Sequence, residues 1–290
     1  MAHQNFVPQS IAVAYHSQLP EAAIEAAQVK VFLEERGIHT TSGIFENPDL
    51  CQRINSCEFE LLIALGGDGT MLRAGRLCAP LNIPVMGINL GHFGFLYETQ
   101  RKGWRDDLTE LLHGHYWLEK RMLLHASLFH QDQMLGEWDV LNDVVVCRGM
   151  IVRPVKLTAY VDGYLMATYI ADGLIASTAT GSTAYALAVG GPILPPELRN
   201  IMIIPVAPHL SVNRAIILAE GVSVSITVNT THQAVVSIDG QAPIPMLDGD
   251  HVMVTANDHT FNFVRFQDPG YFYRNLTVHM EHNPSTGVSQ

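Results

Sequence analysis

An aspartate flanked by glycines is the residue of this chain best suited to chemistry. In LLIALGGDGTMLRA, residues 61–74, an apolar run leads through two glycines to Asp68, and a third glycine and Thr70 open a helix-like stretch. Glycine lets a backbone approach an anion closely, and a helix N-terminus presents unpaired N–H groups and a partial positive charge. The segment therefore predicts a phosphate-binding turn, although it matches neither the Walker A pattern nor GxGxxG.

The carboxylate of Asp68 would repel bound phosphates, so its presence at this turn indicates a separate role. Two tasks suit phosphoryl transfer: accepting the proton of an attacking hydroxyl group, or holding Mg²⁺. The alternative is structural, with Asp68 as the N-cap of the following helix. The residues alone leave these interpretations open.

A second segment, DGLIASTATGSTAYALAVGGP (residues 172–192), again has an apolar strand, a loop of small residues and a short helix. Hydroxyl side chains in the loop offer hydrogen-bond donors with little bulk, so a flat ligand can lie against the backbone while the hydroxyls reach its polar edge. They are Ser177, Thr178, Thr180, Ser182 and Thr183. The alternative is an ordinary Ser/Thr-rich connection.

A polar pair interrupts the apolar run VLNDVVV, which we interpret as a strand. Asn142 and Asp143 are adjacent there, and adjacent polar side chains in a buried strand are costly unless they find partners. The interruption therefore indicates a site in its own right.

These segments lie in two stretches of different sequence style. From residue 10 to about 118, apolar runs such as IAVAY and LLIAL alternate with helical patterns, which predicts βαβ units and a parallel sheet covered on both faces. After about residue 121 the chain is rich in strands, with turn signals at Asp162-Gly163, Asp239-Gly240 and Asp248-Gly249. The predicted fold is α/β plus β: a Rossmann-like α/β domain over residues 1–120 and a mainly antiparallel β-sandwich domain over residues 121–264.

The composition limits the partners of this chain. Of its 290 residues, 48% are hydrophobic and 16% charged, which suits a folded protein, and the net charge of −11 disfavours nucleic acid or an anionic membrane as a partner. No apolar run reaches the ~18 residues of a membrane helix, and the N-terminus lacks the features of a signal peptide. We therefore expect a soluble, cytoplasmic protein. His279 and His282 are not part of a carboxylate or cysteine pattern typical of a metal site, so no metal site is expected there.

The motifs together resemble those of the NAD kinases. GGDGTMLRA, NLGHFGFL, the Asn142-Asp143 pair, DGLIASTATGSTAYALAVGGPI and SIDGQ occur in that family's order, and the resemblance extends over residues 11 to about 275. The resemblance implies transfer of the terminal phosphate of ATP, or of polyphosphate in some members, to the 2′-hydroxyl of the adenosine ribose of NAD, using Mg²⁺. It also implies a homodimer or homotetramer, and a C-terminal tail, residues 265–290, that joins the N-terminal domain.

The resemblance further implies roles for individual residues. Asp68 matches the general base, and no protein ligand of the metal is assigned. The other matched positions are expected to contact the nucleotides: Gly67, Gly69, Thr70 and Arg73 in the phosphate-binding turn, Phe95 beside the nucleotide, Asn142 and Asp143 at ribose hydroxyls, Arg153 as a basic or polar contact, Asp172 near the nicotinamide end, Thr180, Thr183, Ala184 and Tyr185 at the adenosine, and Gln241 in the β domain. Asp143 stands where glutamate is usual in the family, and Ala179 replaces a usual proline, but the reacting groups are retained.

Two other functions share part of this pattern. A lipid kinase carries a related GGDGT turn, but it should show a basic or amphipathic surface for the membrane, which this acidic chain does not offer. A catalytically silent nucleotide-binding module should have lost Asp68 or the Asn142-Asp143 pair, and both are present. NAD, ATP and further copies of the chain are thus the expected partners; neither nucleic acid nor a membrane is expected.

Overall fold

The chain divides into two compact units. The computed structural model describes residues 6–91, 94–209, 212–274 and 276. One unit contains the described residues up to Lys120 together with those from Thr260 onward, and the other comprises Arg121–His259. His279, His282 and the greater part of the predicted tail 265–290 lie outside the described residues. Within the described ranges, no helix is both long and apolar enough to cross a membrane.

The first unit begins with alternating strands and helices. They are β1 (Ser10–Tyr15), α1 (Pro20–Glu34), β2 (His39–Ile44), α2 (Pro48–Asn55), β3 (Leu61–Gly66), α3 (Asp68–Cys78), β4 (Val85–Asn89), β5 (Thr99–Gln100) and α4 (Trp104–Leu112). The runs IAVAY and LLIAL form β1 and β3, and β3 is buried along its whole length. The α/β pattern predicted for this part of the sequence is therefore confirmed.

Four of these strands form a parallel sheet in the order β2-β1-β3-β4. Ile63 of β3 belongs to the same buried apolar cluster as Leu33 of α1 and Trp104 of α4, so helices cover the sheet. The chain runs from β1 to β2 on one side and from β3 to β4 on the other, so the strand order reverses between β1 and β3. Ligands of such sheets bind beyond the carboxyl ends of the strands at this reversal. Asp68 directly follows the carboxyl end of β3.

The second unit consists mainly of strands. The elements that follow α4 are β6 (Trp117–His130), β7 (Gln133–Val140), β8 (Asp143–Arg148), β9 (Val155–Val161), β10 (Tyr164–Ala171), β11 (Gly173–Ser177), α5 (Tyr185–Ala188), β12 (Asn200–Val206), β13 (Ile216–Ala219), β14 (Val224–Asn229), β15 (Ala234–Ile238), β16 (Ile244–Met246) and β17 (His251–Arg265). Short 3₁₀ turns lie at Ala79–Leu81 and Thr180–Thr183. β17 continues past His259 into the first unit, where Phe263 pairs in parallel with Val85 of β4.

The strands of the second unit form two antiparallel layers. One layer contains β10-β9-β14-β17 and the hairpin β6-β7; the other has the order β13-β12-β11-β8-β15-β16. Leu157 and Ile226 from the first layer and Val146 from the second belong to one buried apolar cluster. Asp162 and Gly163, with φ of 51° and 79°, form the predicted two-residue hairpin turn. The predicted β-sandwich is therefore confirmed.

Candidate active site

The Asp68 turn joins β3 to α3 through a glycine cap. Gly67 occupies the N-cap of α3, and Asp68 is the first helical residue. The carbonyl of Gly67 accepts hydrogen bonds from the backbone N–H of Thr70 at 2.7 Å and from the phenol of Tyr97 at 2.9 Å. No side chain caps α3. The interpretation of Asp68 as the N-cap is therefore wrong, because the chain enters the helix one residue earlier than that role requires.

The carboxylate of Asp68 is exposed to solvent, yet it lies against a glycine. A Cβ atom at Gly94 would overlap Oδ1 of Asp68, so a side chain there would require the carboxylate to move. Burial, together with the nearby charge of Asp68, raises the pKa of the Tyr97 phenol well above its usual range. Tyr97 therefore stays protonated and donates to the turn. The carboxylate is accessible from solvent and lies close to the backbone of Gly94, which suits a group that acts on a bound ligand.

Thr70 and Gly69 contribute to the turn in different ways. Thr70 is buried, and its side chain fills the space that a Cβ atom at Gly66 would need. The backbone N–H groups of Asp68 and Gly69 precede the first intrahelical hydrogen bond, which is the arrangement that binds anions at helix N-termini. The turn therefore offers phosphate its backbone rather than the threonine hydroxyl.

Arg73 and Phe95 are the remaining residues that the sequence assigns to this turn. Arg73 lies one helical turn after Gly69, and its guanidinium forms an ion pair with Glu46. Phe95 is half-buried and directly follows Gly94 in the segment that packs on Asp68. A phosphate contact by Arg73 would compete with the existing ion pair.

The Asn142-Asp143 pair lies at a break between strands. β7 ends at Val140 and β8 begins at Asp143, so the interpretation of VLNDVVV as one strand is wrong. The carboxylate of Asp239 causes the break, because it accepts hydrogen bonds from three successive N–H groups. Those of Leu141, Asn142 and Asp143 donate at 3.0, 2.7 and 3.2 Å. The carboxylate thereby satisfies buried N–H groups that strand pairing would otherwise have to satisfy.

The small-residue loop after β11 packs against the same break. The N–H of Thr178 donates to the carbonyl of Asn142 at 3.0 Å, and its hydroxyl donates to the carbonyl of Leu141 at 2.5 Å. A Cβ atom at Gly181 would overlap the carbonyl of Asn142. The glycine of TGSTAY thus permits a close approach of two backbones.

Several hydroxyl groups of this loop hold the loop itself together. Ser182 donates to a backbone carbonyl at 2.7 Å and accepts a backbone N–H at 2.9 Å, and Thr183 donates to the carbonyl of Thr180 at 3.1 Å. Ser177, Thr178 and Ser182 are fully buried. The expectation that their hydroxyls reach the edge of a ligand is therefore wrong, because backbone groups already occupy them.

Asp143 is a buried carboxyl group with an unusual protonation equilibrium. Burial, and then the charge of Asp239, raise its pKa to about 7, although the backbone N–H of Tyr185 donates to it. Ala184 is the N-cap of α5, so this N–H belongs to the first residue of that helix. Near neutral pH, protonated and ionised forms of Asp143 coexist, and the group can donate or accept a hydrogen bond.

Asp172 and Tyr185 share an electrostatic cluster with two residues that the sequence did not reveal. The Nε of Arg148 lies 3.1 Å from Oδ1 of Asp172. Burial raises the pKa of the Tyr185 phenol, and the nearby Cys147, Asp172 and Asp143 raise it further. The sequence signal for Cys147 and Arg148 is slight: they end the run VVVCR without any motif of their own.

Arg153 and Gln241 are not drawn into these contacts. Arg153 lies in the exposed segment 150–154, where its backbone N–H donates to the carbonyl of Ile151 at 2.9 Å. Gln241 is exposed, and its carbonyl accepts the hydroxyl of Ser237 at 2.8 Å. In the part of the chain that the structure describes, neither side chain bonds to Asp143. The sequence-predicted residues that do share contacts within the second unit are Asn142, Asp143, Asp172, Thr180, Thr183, Ala184 and Tyr185.

Two family models match the chain in sequence. The model of the ATP-NAD kinase N-terminal domain matches residues 6–116, and that of the ATP-NAD kinase C-terminal domain matches residues 141–266. The first range contains the Asp68 turn. The second contains Asn142, Asp143 and the loop that packs on them.

Relatives named NAD kinase are similar to the chain over most of its length. The NAD kinase of Chloroflexus aggregans is 37% identical over 94% of this chain and 98% of that protein. The NAD kinase of Dehalococcoides mccartyi is 33% identical over 95% and 97% of the two chains. That of Cupriavidus pinatubonensis is 39% identical over 82% and 78%.

Two solved structures share the fold. A yeast NADH kinase complexed with NADH has a TM-score of 0.81 at 22% identity, covering 97% of this chain and 90% of the yeast chain. An NAD kinase from Archaeoglobus fulgidus in complex with ATP has a TM-score of 0.74, also at 22% identity, covering 94% and 99%. Both support the two-part α/β and β architecture described above.

Proposed function

Because the chain belongs to the NAD kinase family and is an ATP-dependent kinase that converts NAD to NADP, we propose that Asp68 accepts the proton of the 2′-hydroxyl. The observation that carries this proposal is the position of the carboxylate, exposed at the first residue of α3 and close to the backbone of Gly94. As the 2′-oxygen bonds to the γ-phosphorus, the bond from phosphorus to the leaving oxygen of ADP breaks, and the hydroxyl proton passes to Asp68. A positioned base of this kind contributes ~10²–10⁴-fold.

The phosphates of ATP are assigned to the N-terminus of α3. Gly67 and Gly69 let the phosphates approach the backbone, and the partial positive charge of the helix end attracts them. Thr70 supports the shape of the turn, since its side chain is buried and its N–H donates to the carbonyl of Gly67. Arg73 would exchange Glu46 for a phosphate oxygen, and Phe95 would border the nucleotide.

Mg²⁺ fits this turn as a companion of ATP. Mg²⁺ takes oxygen ligands, commonly one or two carboxylates together with substrate phosphates, and the exposed carboxylate of Asp68 is the group at the turn that would offer such an oxygen. When bound, the ion would neutralise charge on the transferring phosphoryl group. Polyphosphate, as an alternative donor, would bring the same anionic oxygens.

Asn142 and Asp143 are assigned to the ribose hydroxyls of NAD. The backbone of Asn142 is held by Asp239 and Thr178, so its half-buried side chain projects from a fixed position. Burial and Asp239 raise the pKa of Asp143 to about 7. The carboxyl group can therefore donate a hydrogen bond to a ribose hydroxyl when protonated, or accept one from it when ionised.

The remaining contacts to NAD are assigned around this pair. Asp172 would offer negative charge near the cationic nicotinamide ring, with Arg148 as its partner when NAD is absent. Small side chains leave room for a flat base against the loop, and Arg153 and Gln241 would make outer contacts. The residues assigned to the adenosine are Thr180, Thr183, Ala184 and Tyr185.

A homodimer or homotetramer is part of the proposal. In the second unit Met150 is 90% exposed, Val152 81% and Tyr164 80%, and large apolar side chains of this kind are what subunit interfaces bury. Light scattering that gives the 32.0 kDa monomer mass would contradict the proposed oligomer.

A cytoplasmic location is also proposed. The cysteines of the described residues are free, as is usual in a reducing compartment.

The direct test of the proposed chemistry is the Asp68→Asn variant. NADP formation from NAD and MgATP should be strongly reduced, while calorimetric binding of NAD should be retained. A variant that forms NADP at the wild-type rate would overturn the assignment of Asp68.

A further inference from the structure

The C-terminal end of α4 is closed by a backbone motif that brings together three side chains of types that can ligate a metal. His113 caps the nine-residue helix Trp104–Leu112, and Gly114 follows with a φ of 75°. The N–H of His115 donates to the carbonyl of Glu110 at 2.9 Å, and the N–H of Gly114 donates to the carbonyl of Leu111 at 3.0 Å. These two bonds form the Schellman motif, which turns the chain back over the last helical turn.

The reversal places Glu110, His113 and His115 side by side. The Nδ1 atom of His115 lies 3.0 Å from Oε2 of Glu110, and the rings of His113 and His115 have centroids 5.7 Å apart. One ligand atom from each of the three residues lies within 4.8 Å of the other two. All three residues are exposed, so an ion in solution can reach them.

We propose that Glu110, His113 and His115 bind one transition-metal dication, with Zn²⁺ as the reference ion. Two imidazoles and one carboxylate form a ligand set that suits Zn²⁺, Cu²⁺ and Ni²⁺, whereas Mg²⁺ and Ca²⁺ take oxygen ligands. Ligand atoms around tetrahedral Zn²⁺ lie roughly 3.3 Å from one another, given metal–ligand distances of about 2.0–2.1 Å. The three side chains are exposed, so rotation about their side-chain bonds would bring the ligand atoms to that spacing, and water would complete the coordination.

The end of α4 adds a favourable field for a cation. The last carbonyl groups of a helix and the negative end of its dipole attract positive charge. A bound ion would also join His115 to the last turn of the helix and thereby stabilise the folded chain. The site shares no residue with the Asp68 turn, so its ion is distinct from the Mg²⁺ that accompanies ATP.

Calorimetric titration of the full-length chain with Zn²⁺, in excess Mg²⁺ and without nucleotide, tests the proposal. The wild type should bind one tight equivalent. Loss of an outer-shell partner alone costs about 10–100-fold in metal affinity. Removal of a direct ligand should weaken Zn²⁺ binding at least as much in each of three variants: Glu110→Gln, His113→Ala and His115→Ala. His39→Ala, at an exposed position on β2, is the matched control and should bind as the wild type does. With Cu²⁺ as the probe, electron paramagnetic resonance should show two coupled nitrogens, and one in either histidine variant.

The Gly114→Ala variant tests whether Zn²⁺ binding depends on the backbone turn that positions the three ligands. It keeps all three ligands but puts a side chain at a φ of 75°, which disfavours the Schellman turn. Zn²⁺ binding should weaken while the metal-free melting temperatures confirm that each variant is folded. Equal Zn²⁺ isotherms for the wild type and the three ligand variants would overturn the proposal, as would an equal loss in His39→Ala. NADP formation at saturating MgATP should be unchanged in all of them, so the outcome is independent of the role assigned to Asp68.

Discussion

The carboxylate of Asp239 accepts a hydrogen bond from the backbone N–H of Asn142 at 2.7 Å, although the two residues lie 97 positions apart in the sequence. The same carboxylate binds the N–H groups of Leu141 and Asp143. Asp239 is only 8% exposed, so each of these N–H groups would be costly if left without an acceptor. One side chain thus fixes the backbone from which both proposed ribose ligands project.

Asp239→Asn should therefore weaken NAD recognition as well as the fold. An amide has a single acceptor oxygen, and its NH₂ group would face backbone donors. Unsatisfied buried donors cost about 1–3 kcal/mol of stability, and KM for NAD should rise while KM for ATP changes little. Denaturant unfolding and initial rates measure both effects, with Asp132→Asn as an exposed control. A loss of stability with unchanged KM for NAD would reduce Asp239 to a structural role.

Asn142→Ala should change KM for NAD without destabilising the chain. The bonds that hold residue 142 run from its N–H to Asp239 and from Thr178 to its carbonyl, so alanine keeps them. Loss of one neutral hydrogen bond to ribose costs about 1 kcal/mol, which corresponds to about fivefold in KM. Steady-state kinetics with each substrate varied in turn provide the measurement. Equal effects on NAD and ATP would contradict the assignment.

Asp143→Asn should make the stability of the chain less dependent on pH. Burial and Asp239 raise the folded pKa of Asp143 to about 7, whereas an unfolded aspartate titrates near about 3.9. Between these values the folded chain binds more protons than the unfolded chain, so this group's contribution to stability falls as pH rises, and it is lowest above about pH 7. Asparagine keeps an oxygen for the N–H of Tyr185 but carries no charge.

Urea unfolding at about pH 5 and about pH 8 checks this expectation. The difference in unfolding free energy, variant minus wild type, should become more positive at the higher pH, because only the wild type then carries a buried charge beside Asp239. Titrating groups that do not interact with Asp143 cancel in this difference. A difference that stays constant would show that the folded pKa is not raised.

Strands of the parallel sheet could be predicted from the sequence only where the strand is buried and its residues form a continuous apolar run. β1 and β3 are central and covered on both faces, and their sequences are apolar throughout. β2, with the sequence HTTSGI, lies at the edge of the sheet and pairs only with β1 among the described strands. An edge strand needs few apolar residues, so its polar sequence gave no strand signal.

The candidate site could be predicted where its residues carry local signals. Glycines around Asp68 and adjacent polar residues at 142 and 143 are visible in the sequence, whereas Gly94 and Tyr97 matter only because the fold brings them to the Asp68 turn. Arg148 meets Asp172 because β8 and β11 pair with Cys147 opposite Gly173. Strand register of this kind is set by long-range packing, which no local pattern encodes.

Gly94→Ala should lower turnover more than substrate affinity. The added Cβ atom would overlap the carboxylate of Asp68 and displace it, and a misplacement of about 1 Å costs about 10²-fold in rate. Gly91→Ala is the matched control in the same segment, because a Cβ atom there meets nothing within 4 Å. Measured kcat values that are equal in the two variants would contradict the proposed contact between Gly94 and the base.

Asp68→Asn should abolish most turnover while leaving the turn intact. Gly67, not Asp68, caps α3, so the amide removes no capping bond and the melting temperature should change little. Asparagine can still hydrogen-bond a hydroxyl group, so calorimetry should show NAD binding close to that of the wild type. An amide cannot accept the hydroxyl proton, and kcat should therefore fall by roughly 10²–10⁴ with little change in KM.

Titration of the same variant with Mg²⁺ separates the two chemical roles of this carboxylate. If Asp68 acts chiefly as a metal ligand, its loss weakens Mg²⁺ binding, and turnover should return as the Mg²⁺ concentration is raised. If Asp68 is the proton acceptor, saturating Mg²⁺ leaves the defect in kcat unchanged, because no added ion replaces a base at the 2′-hydroxyl. We expect the second result, since the carboxylate is held against Gly94 at the start of α3. Full recovery of kcat in high Mg²⁺ would show that Asp68 acts as a magnesium ligand and not as the proton acceptor.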